Sequence, residues 1–252
     1  MKKRILSLLL ALVMLLGMLP TVALAADDGW DGTTKTEPEK SGDVYQIGTA
    51  AELAWFRDEV NSGKSTLNAT LTADIDLNNQ EWTPIGISPN NTKSFKGTFD
   101  GAGHTISGLK IERVGTDDMV LGLFGSVGDS GYGDVETVIK NLTVEGHVTA
   151  TINKTNKFNF AIAGIAGYSN GKVTLQRVVS KVDVTCTDNN NGYTSPATAG
   201  LLANAQSSDK IIECANYGDI TSNNSNVAGL VTDGWGLGFK GTMTSCFNIG
   251  TV

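Results

Sequence analysis

The sequence predicts an all-β protein, a right-handed parallel β-helix with three strands per rung and an N-terminal capping helix. Two observations carry this expectation. First, five segments align without a gap over an apolar-x-x-apolar core: Ile106 to Ile111, Ile139 to Val144, Leu175 to Ser180, Ile211 to Asn216 and Met243 to Asn248. Self-similarity at 32 to 36 residues marks a solenoid that stacks one supersecondary unit on the next. Second, after Gly63 short β-branched runs alternate with Gly, Asn, Asp and Ser clusters, which is strand and turn chemistry with no further helical period.

The elements follow in order. Lys2, Lys3 and Arg4, an apolar run from Ile5 to Leu19 and Ala23-Leu24-Ala25 before Ala26 read as a secretory signal peptide over 1–25. An uncleaved anchor is the rival, but Gly17, Pro20 and the small-residue cleavage site favour removal. Residues 26–42 are rich in Asp, Gly, Thr, Lys and Glu without an apolar period and read as a flexible linker. Over 43–69, Val44 to Ile47 forms a short strand, and Thr49-Ala50-Ala51-Glu52 is a capping box opening a helix that carries Leu53, Trp55, Phe56 and Val60. That helix covers the first rung, whose edge otherwise exposes unpaired backbone groups. Rungs fill 70–252, starting with Leu71, Ile75 and Leu77, with Ile75 placed one rung before Leu109; about five or six are expected. In the unit 199–221 the three strands are expected at 199–203, 210–216 and 219–221.

Stacking puts equivalent residues over one another. Leu109, Leu142, Val178, Cys214 and Cys246 should form one interior file, Asn216 and Asn248 an asparagine ladder, and Arg177 with Glu213 and Lys181 with Glu145 outward pairs. The three cysteines, Cys186, Cys214 and Cys246, are too few for a disulfide scaffold and read as free thiols, although adjacent rungs would permit a bridge between the last two. There is no Cys-x-x-Cys or His/Cys cluster, so no zinc signature, and no cofactor is implied.

Without the signal, 16 basic and 26 acidic residues give a net charge of −10, which lacks the basic footprint a nucleic-acid partner needs. The acidic residues are dispersed, as a solvated surface requires. No integral membrane span is expected once the signal is gone, and the location is secreted, extracellular or cell surface.

Candidate chemistry is sparse. His147, Asp183 and Asp219 share a column on three successive rungs and could share acid/base work or bind a metal. Against this, Asp183 and Asp219 follow a corner, where Asp caps turns through its own backbone. Asp74, Asp76 and Asn78 alternate along one strand and could place three oxygens on a cation, yet the glycine turn and closing Glu of a calcium loop are missing. Phe99-Asp100-Gly101 to His104 reads as a tight turn, and Asp117-Asp118 with Arg113 is the nearest approach to an acidic and basic catalytic set. Trp55 and Trp82 read as core. Trp235, between Gly234 and Gly236, could stack on a sugar or anchor a partner, or tuck over its own rung. His104 and His147 lie in no nucleophile-activating context.

At Trp82 to Gly86, Phe95 to Leu109 and Gly122-Leu123-Phe124-Gly125 the chain resembles the GLUG-motif repeat proteins of bacterial surfaces and secretions. The motif also occurs in the non-catalytic part of some immunoglobulin A peptidases. The resemblance spans roughly 43–252, and the later copies at Ala163 to Gly167, Ala199 to Ala203 and Ala228 to Thr232 decay from it. It implies an extracellular β-solenoid module and brings no catalytic residues.

Three functions are therefore expected in competition. The first is an adhesin-like binding or stalk module, non-catalytic, that contacts glycans or host and neighbouring-cell proteins. The second is a polysaccharide-active enzyme of the pectin-lyase type; the third is a structural spacer. With Ile249 to Val252 partway through a rung, the C-terminal end is expected to lack a cap and to meet either further chain or a partner.

Overall fold

The computed structural model describes residues 29–87, 93–129, 136–155, 159–190, 195–206, 208–233 and 239–252. The expected signal peptide and Trp235 lie outside the described residues.

A parallel β-solenoid of about four turns forms the body, with one short helix near its N-terminal end. The chain enters through an antiparallel pair, β1 (Glu39–Ser41) and β2 (Val44–Ile47), followed by α1 (Ala50–Asn61). β3 (Asn68–Leu71) and β4 (Ile75–Asp76) begin the stack. The next turn holds β5 (Thr98–Asp100), β6 (Thr105–Gly115), β7 (Met119–Leu121) and β8 (Phe124–Val127). Two turns of like build follow, β9 (Thr137–Ile152), β10 (Phe160–Ala163) and β11 (Ala166–Ser169), then β12 (Val173–Asp188), β13 (Ala197–Ala199) and β14 (Leu202–Asn204). Shorter pieces complete the chain: β15 (Lys210–Ile212), β16 (Ala215–Asn216), β17 (Ile220–Ser222), β18 (Val227–Ala228), β19 (Thr242–Thr244) and β20 (Phe247–Asn248).

Three sheets run along the axis. The largest follows β1-β2-β3-β5-β9-β12-β15-β19, and the smaller ones are β18-β13-β10-β7 and β14-β11-β8. The count of five or six rungs is thus corrected to about four turns, because β2 and β3 extend only the large sheet.

Helix α1 forms as its sequence dictates. Thr49 Oγ1 accepts from the Glu52 N–H at 3.2 Å while Glu52 Oε2 accepts from the Thr49 N–H at 3.0 Å. Leu53, Phe56 and Val60 are buried, and the Phe56 ring lies 6.1 Å from both Phe95 and Phe99. The helix therefore closes the end of the core with aromatic contacts. Asn61 at its C-terminal end adds polar ones, its Nδ2 donating to the Pro84 carbonyl at 3.0 Å and its Oδ1 accepting from the Gly86 N–H at 2.7 Å. The stretch expected as a flexible linker is instead docked where it is described. Trp30 is buried edge-on against Trp82 with ring centroids 5.8 Å apart, and Asn78 Nδ2 donates to the Trp30 carbonyl at 3.2 Å. One tryptophan finding an apolar seat outweighs a polar composition, since burying such a ring is worth roughly 2–3 kcal/mol.

Interior files define the register. Tyr45, Ala69, Phe99, Ile139, Leu175, Ile211 and Met243 stack in sequence along the large sheet, buried as far as Ile211 and exposed at Met243. Leu142 and Val178 pair, the Val178 N–H points to Cys214 Sγ at 3.5 Å, and the Cys214 N–H points to Cys246 Sγ at 3.5 Å. Four of the five residues expected in that file are in it. Leu109 is not. It pairs with Gly146, and Ile106 pairs with Val144, so the hexamer 106–111 is displaced and Phe99 takes the place opposite Ile139. The displacement arises before Ile106, since seven residues lead from Phe99 to Ile106 through the Gly101 to Gly103 turn where five lead from Ile139 to Val144. A bulge between Ile106 and Leu109, with Gly108 at φ +66°, then adds one more. Ile75 accordingly stacks on Ile106 rather than on Leu109.

Corners account for the repeat pattern. Asn141, Arg177, Glu213 and Ser245 all have φ between +52° and +55°, so the third residue of each hexamer bends the chain in the left-handed region. The expected strand 210–216 is therefore split at Glu213 into β15 and β16. Likewise 199–203 is a bend between β13 and β14, which belong to different sheets. A Cβ on Gly200 would lie 2.3 Å from the Gly229 carbonyl and 2.4 Å from Asn216 Cγ; on Gly229 it would lie 2.3 Å from Asn248 Cγ. These glycines are needed because the backbone presses directly on the polar corner ladder. That ladder exists as expected, with Asn216 Nδ2 donating to Asn248 Oδ1 at 2.8 Å.

Candidate functional site

The candidate acid/base column is used for structure. Asp183 stacks on His147 in the register of β12 on β9. Its Oδ1 accepts the Asp219 N–H at 2.9 Å, and Asp219 Oδ1 accepts the Thr251 N–H at 2.8 Å. Each aspartate thereby ties its own corner to the backbone of the next rung. The His147 ring faces Glu112 instead, with Nε2 3.7 Å from Oε1. The three residues are adjacent in file, but their functional atoms have other partners.

The candidate cation site disperses in the same way. Asp74 Oδ1 accepts from the Thr105 N–H at 2.9 Å and stands 3.1 Å from His104 Nδ1; the backbone bond first, then the imidazole, holds its carboxyl below the usual range. Asp76 Oδ1 caps the Asn78 N–H at 2.7 Å, and the Asn78 amide turns to Trp30. No group of three or more metal-ligating side chains occurs among the described residues. Arg113 pairs with Glu81, whereas Asp118 binds the Asn159 amide at 3.0 Å, so these two do not converge.

Trp82 is buried with its Nε1–H donated to the Leu123 carbonyl at 3.2 Å, and the Arg57 guanidinium lies 4.6 Å from its ring centroid. Trp55 is half-buried beside Tyr45, with centroids 5.2 Å apart. The outward pairs form, Lys181 to Glu145 at 2.8 Å and Arg177 to Glu213 at 3.4 Å. All three thiols are free. Burial pushes Cys186 up to about 11 and Cys214 up to about 12, so neither is a nucleophile near neutrality.

Two surface features escaped the sequence reading. One is an exposed aromatic pair, Tyr217 and Phe247, meeting edge-on with centroids 5.9 Å apart. The other is a groove of about 360 Å³ on the outer face of the large sheet, lined by Val44, Asn68, Ala69, Thr70, Thr98, Asp100 and Lys140. Its half-buried Val44, Asn68, Thr70, Thr98, Asp100 and Lys140 alternate along β2, β3, β5 and β9 with the buried Tyr45, Phe99, Ile139 and Ala69, the last of which also borders the groove. Asp100 anchors it. Oδ1 accepts from the Ala102 N–H and from Asn141 Nδ2, both at 2.9 Å, and Oδ2 lies 3.2 Å from Lys140 Nζ. Partial burial alone would raise this carboxyl, but the bonds from Asn141, Ala102 and Lys140 outweigh it and leave the group lowered and ionised. The turn reading of Asp100 holds for Oδ1; its second oxygen and its partner were hidden because Lys140 is 40 positions away.

No family model matches the chain. A stretch of 150 residues, 56% of the chain, is 31% identical to Halomucin of Haloquadratum walsbyi, and it spans 1% of that protein's length. Among solved structures, one of a putative immunoglobulin A1 protease from Bacteroides ovatus aligns over 86% of this chain and 87% of that one, at 12% identity and a TM-score of 0.31. The solenoid fits a surface or stalk module. No helix among the described residues is long and apolar enough to cross a membrane.

Proposed function

We propose that this chain is a non-catalytic, adhesin-like module of the cell surface or its surroundings, whose lateral faces contact glycans or surface proteins. The observation that carries the reading is where the ionisable side chains are spent. Asp183, Asp219 and Asp74 each hold a backbone N–H of the following rung, so these three carboxylates serve the stack. An acid/base mechanism needs two such groups flanking one substrate bond, and these are aimed at backbone. The partial likeness to Halomucin and the GLUG-like glycine corners support the same reading.

The test is to apply the fluorescent-labelled chain to a glycan array and to intact bacterial and host cells, with reducing-end release from polysaccharides assayed in parallel. Saturable binding without release is expected. Release that disappears in Asp183→Asn or His147→Ala would install the polysaccharide-active enzyme in its place. Absence of binding to every glycan and cell surface would leave the spacer reading.

A further inference from the structure

Resting on that reading, we infer that the groove across β2, β3, β5 and β9 is a saccharide site and that it takes a neutral sugar chain. The groove crosses four adjacent strands, Val44 beside Asn68, Ala69 beside Phe99, and Asp100 beside Lys140. Three inter-strand spacings give it a length of about 14 Å. A site that long suits an extended polymer running parallel to the solenoid axis.

Its polar atoms are arranged as a mixed row. Asn68 Oδ1 is occupied by the Thr98 N–H at 2.8 Å, so the Nδ2 end of this groove residue is the one left to act as a donor. Thr98 contributes a hydroxyl that can donate and accept, and Thr70 Oγ1, which donates to the Leu71 carbonyl at 3.5 Å, contributes an acceptor. Asp100 Oδ2 retains acceptor capacity beside Lys140 Nζ, which has three N–H donors and, among the described residues, one carboxylate partner at 3.2 Å. Val44 supplies an apolar wall at one end. Sugar hydroxyls are simultaneously donors and acceptors, so a row that mixes the two roles suits vicinal hydroxyls.

Charge decides the class of sugar. The groove holds one carboxylate and one ammonium in contact, so its net charge is zero. A uronate could bind Lys140 only by competing with Asp100 for it, and an amino sugar could bind Asp100 only by competing with Lys140. A charged unit therefore exchanges one ion pair for another and leaves a like charge beside it. The chain as a whole is acidic at −7, which adds to the exclusion of anionic polymers. Neutral hexose chains face neither penalty.

The experiment is saturation-transfer NMR and titration calorimetry on the full chain, with neutral cellohexaose and mannohexaose, anionic hexagalacturonate and cationic chitosan hexamer as probes. Variants are Lys140→Met, Thr98→Val and, as a control two strands along the same sheet, Lys210→Met, all first checked for an unchanged β-sheet circular dichroism spectrum and melting point. A neutral hexasaccharide is expected to bind best, with affinity reduced tenfold or more by Lys140→Met, threefold or more by Thr98→Val, and unchanged by Lys210→Met. If saccharide binds and the two groove variants bind equally well, the groove is not the site, while the surface-binding reading stands. Tighter binding of the galacturonate or chitosan probe would overturn the neutral class. Binding to none of the four overturns the inference, and cell binding in the same preparation then tells whether the broader reading survives.

Discussion

Phe99 is the residue on which the stack and its cap both depend, and replacing it gives a quantity that can be worked out beforehand. Its side chain is fully buried, with its ring 6.1 Å from Phe56 of the helix and 5.3 Å from Phe124 of β8. Phe99→Ala removes the ring from an interior file and leaves a cavity, a change that destabilises cores by about 3–5 kcal/mol. Phe99→Leu keeps most of the volume and forfeits two ring contacts of about 0.5–1.5 kcal/mol each, hence about 1–3 kcal/mol. Urea unfolding followed by circular dichroism reads both, and hydrogen exchange reads where the loss falls. Amides of α1 should exchange faster first, because Phe56 loses a partner there. As a reference, Val114→Ala at an exposed position should change stability by less than about 0.5 kcal/mol. Losses below about 1 kcal/mol in Phe99→Ala would refute the placement of this ring between cap and solenoid.

Other consequences are equally direct. Ser245 is exposed at a left-handed corner with φ +55°, so Ser245→Gly should raise stability by several tenths of a kcal/mol and Ser245→Val should lower it by about 1 kcal/mol or more, measured by thermal melts. Asn216→Ala should lose about 1–3 kcal/mol, because the Gly218 carbonyl and Asn248 Oδ1 both lose their donor. The buried thiols give a pH dependence with a definite sign. Both have folded pKa values raised above the ordinary 9.0, to about 11 for Cys186 and about 12 for Cys214, so their contribution is complete below pH 9 and is lost as pH rises from there through those values. Each should take away stability at up to about 1.4 kcal/mol per pH unit over that window, and Cys186→Ala or Cys214→Ala should flatten the alkaline limb. In the native state a thiol reagent at pH 8 should modify the half-buried Cys246 and spare the other two.

The fold was legible because stacking repeats its demands. Ile139, Leu175, Ile211 and Met243 recur at intervals of 36, 36 and 32 and do form one file. The earlier turns were misread where spacing ceases to be regular. Val44 to Asn68 is 24 positions, Ala69 to Phe99 is 30, and Phe99 to Ile139 is 40, so no fixed period links them. A hexamer at Ile106 looked equivalent because its apolar pattern matched, while Phe99 holds the place opposite Ile139 and the Gly101 to Gly103 turn carries the chain on until Ile106 meets Val144. The groove stayed hidden for the same reason. Its members are ordinary outward Thr, Asn, Asp and Lys, and only the irregular loop lengths bring them side by side. Conversely, the aspartates that did stand out by column proved to be corner fasteners, since a regular position is where a repeated structural task falls.

The account rests on which residues lie opposite Ile139, and isotope-edited NMR on methyl-labelled protein reports that directly. Nuclear Overhauser contacts should connect Ile139 to the Phe99 ring on one side and the Leu175 methyls on the other, and Leu175 onward to Ile211. Contacts from Ile139 to Ile106 in place of Phe99, or Leu175 methyls silent toward both Ile139 and Ile211, would contradict it.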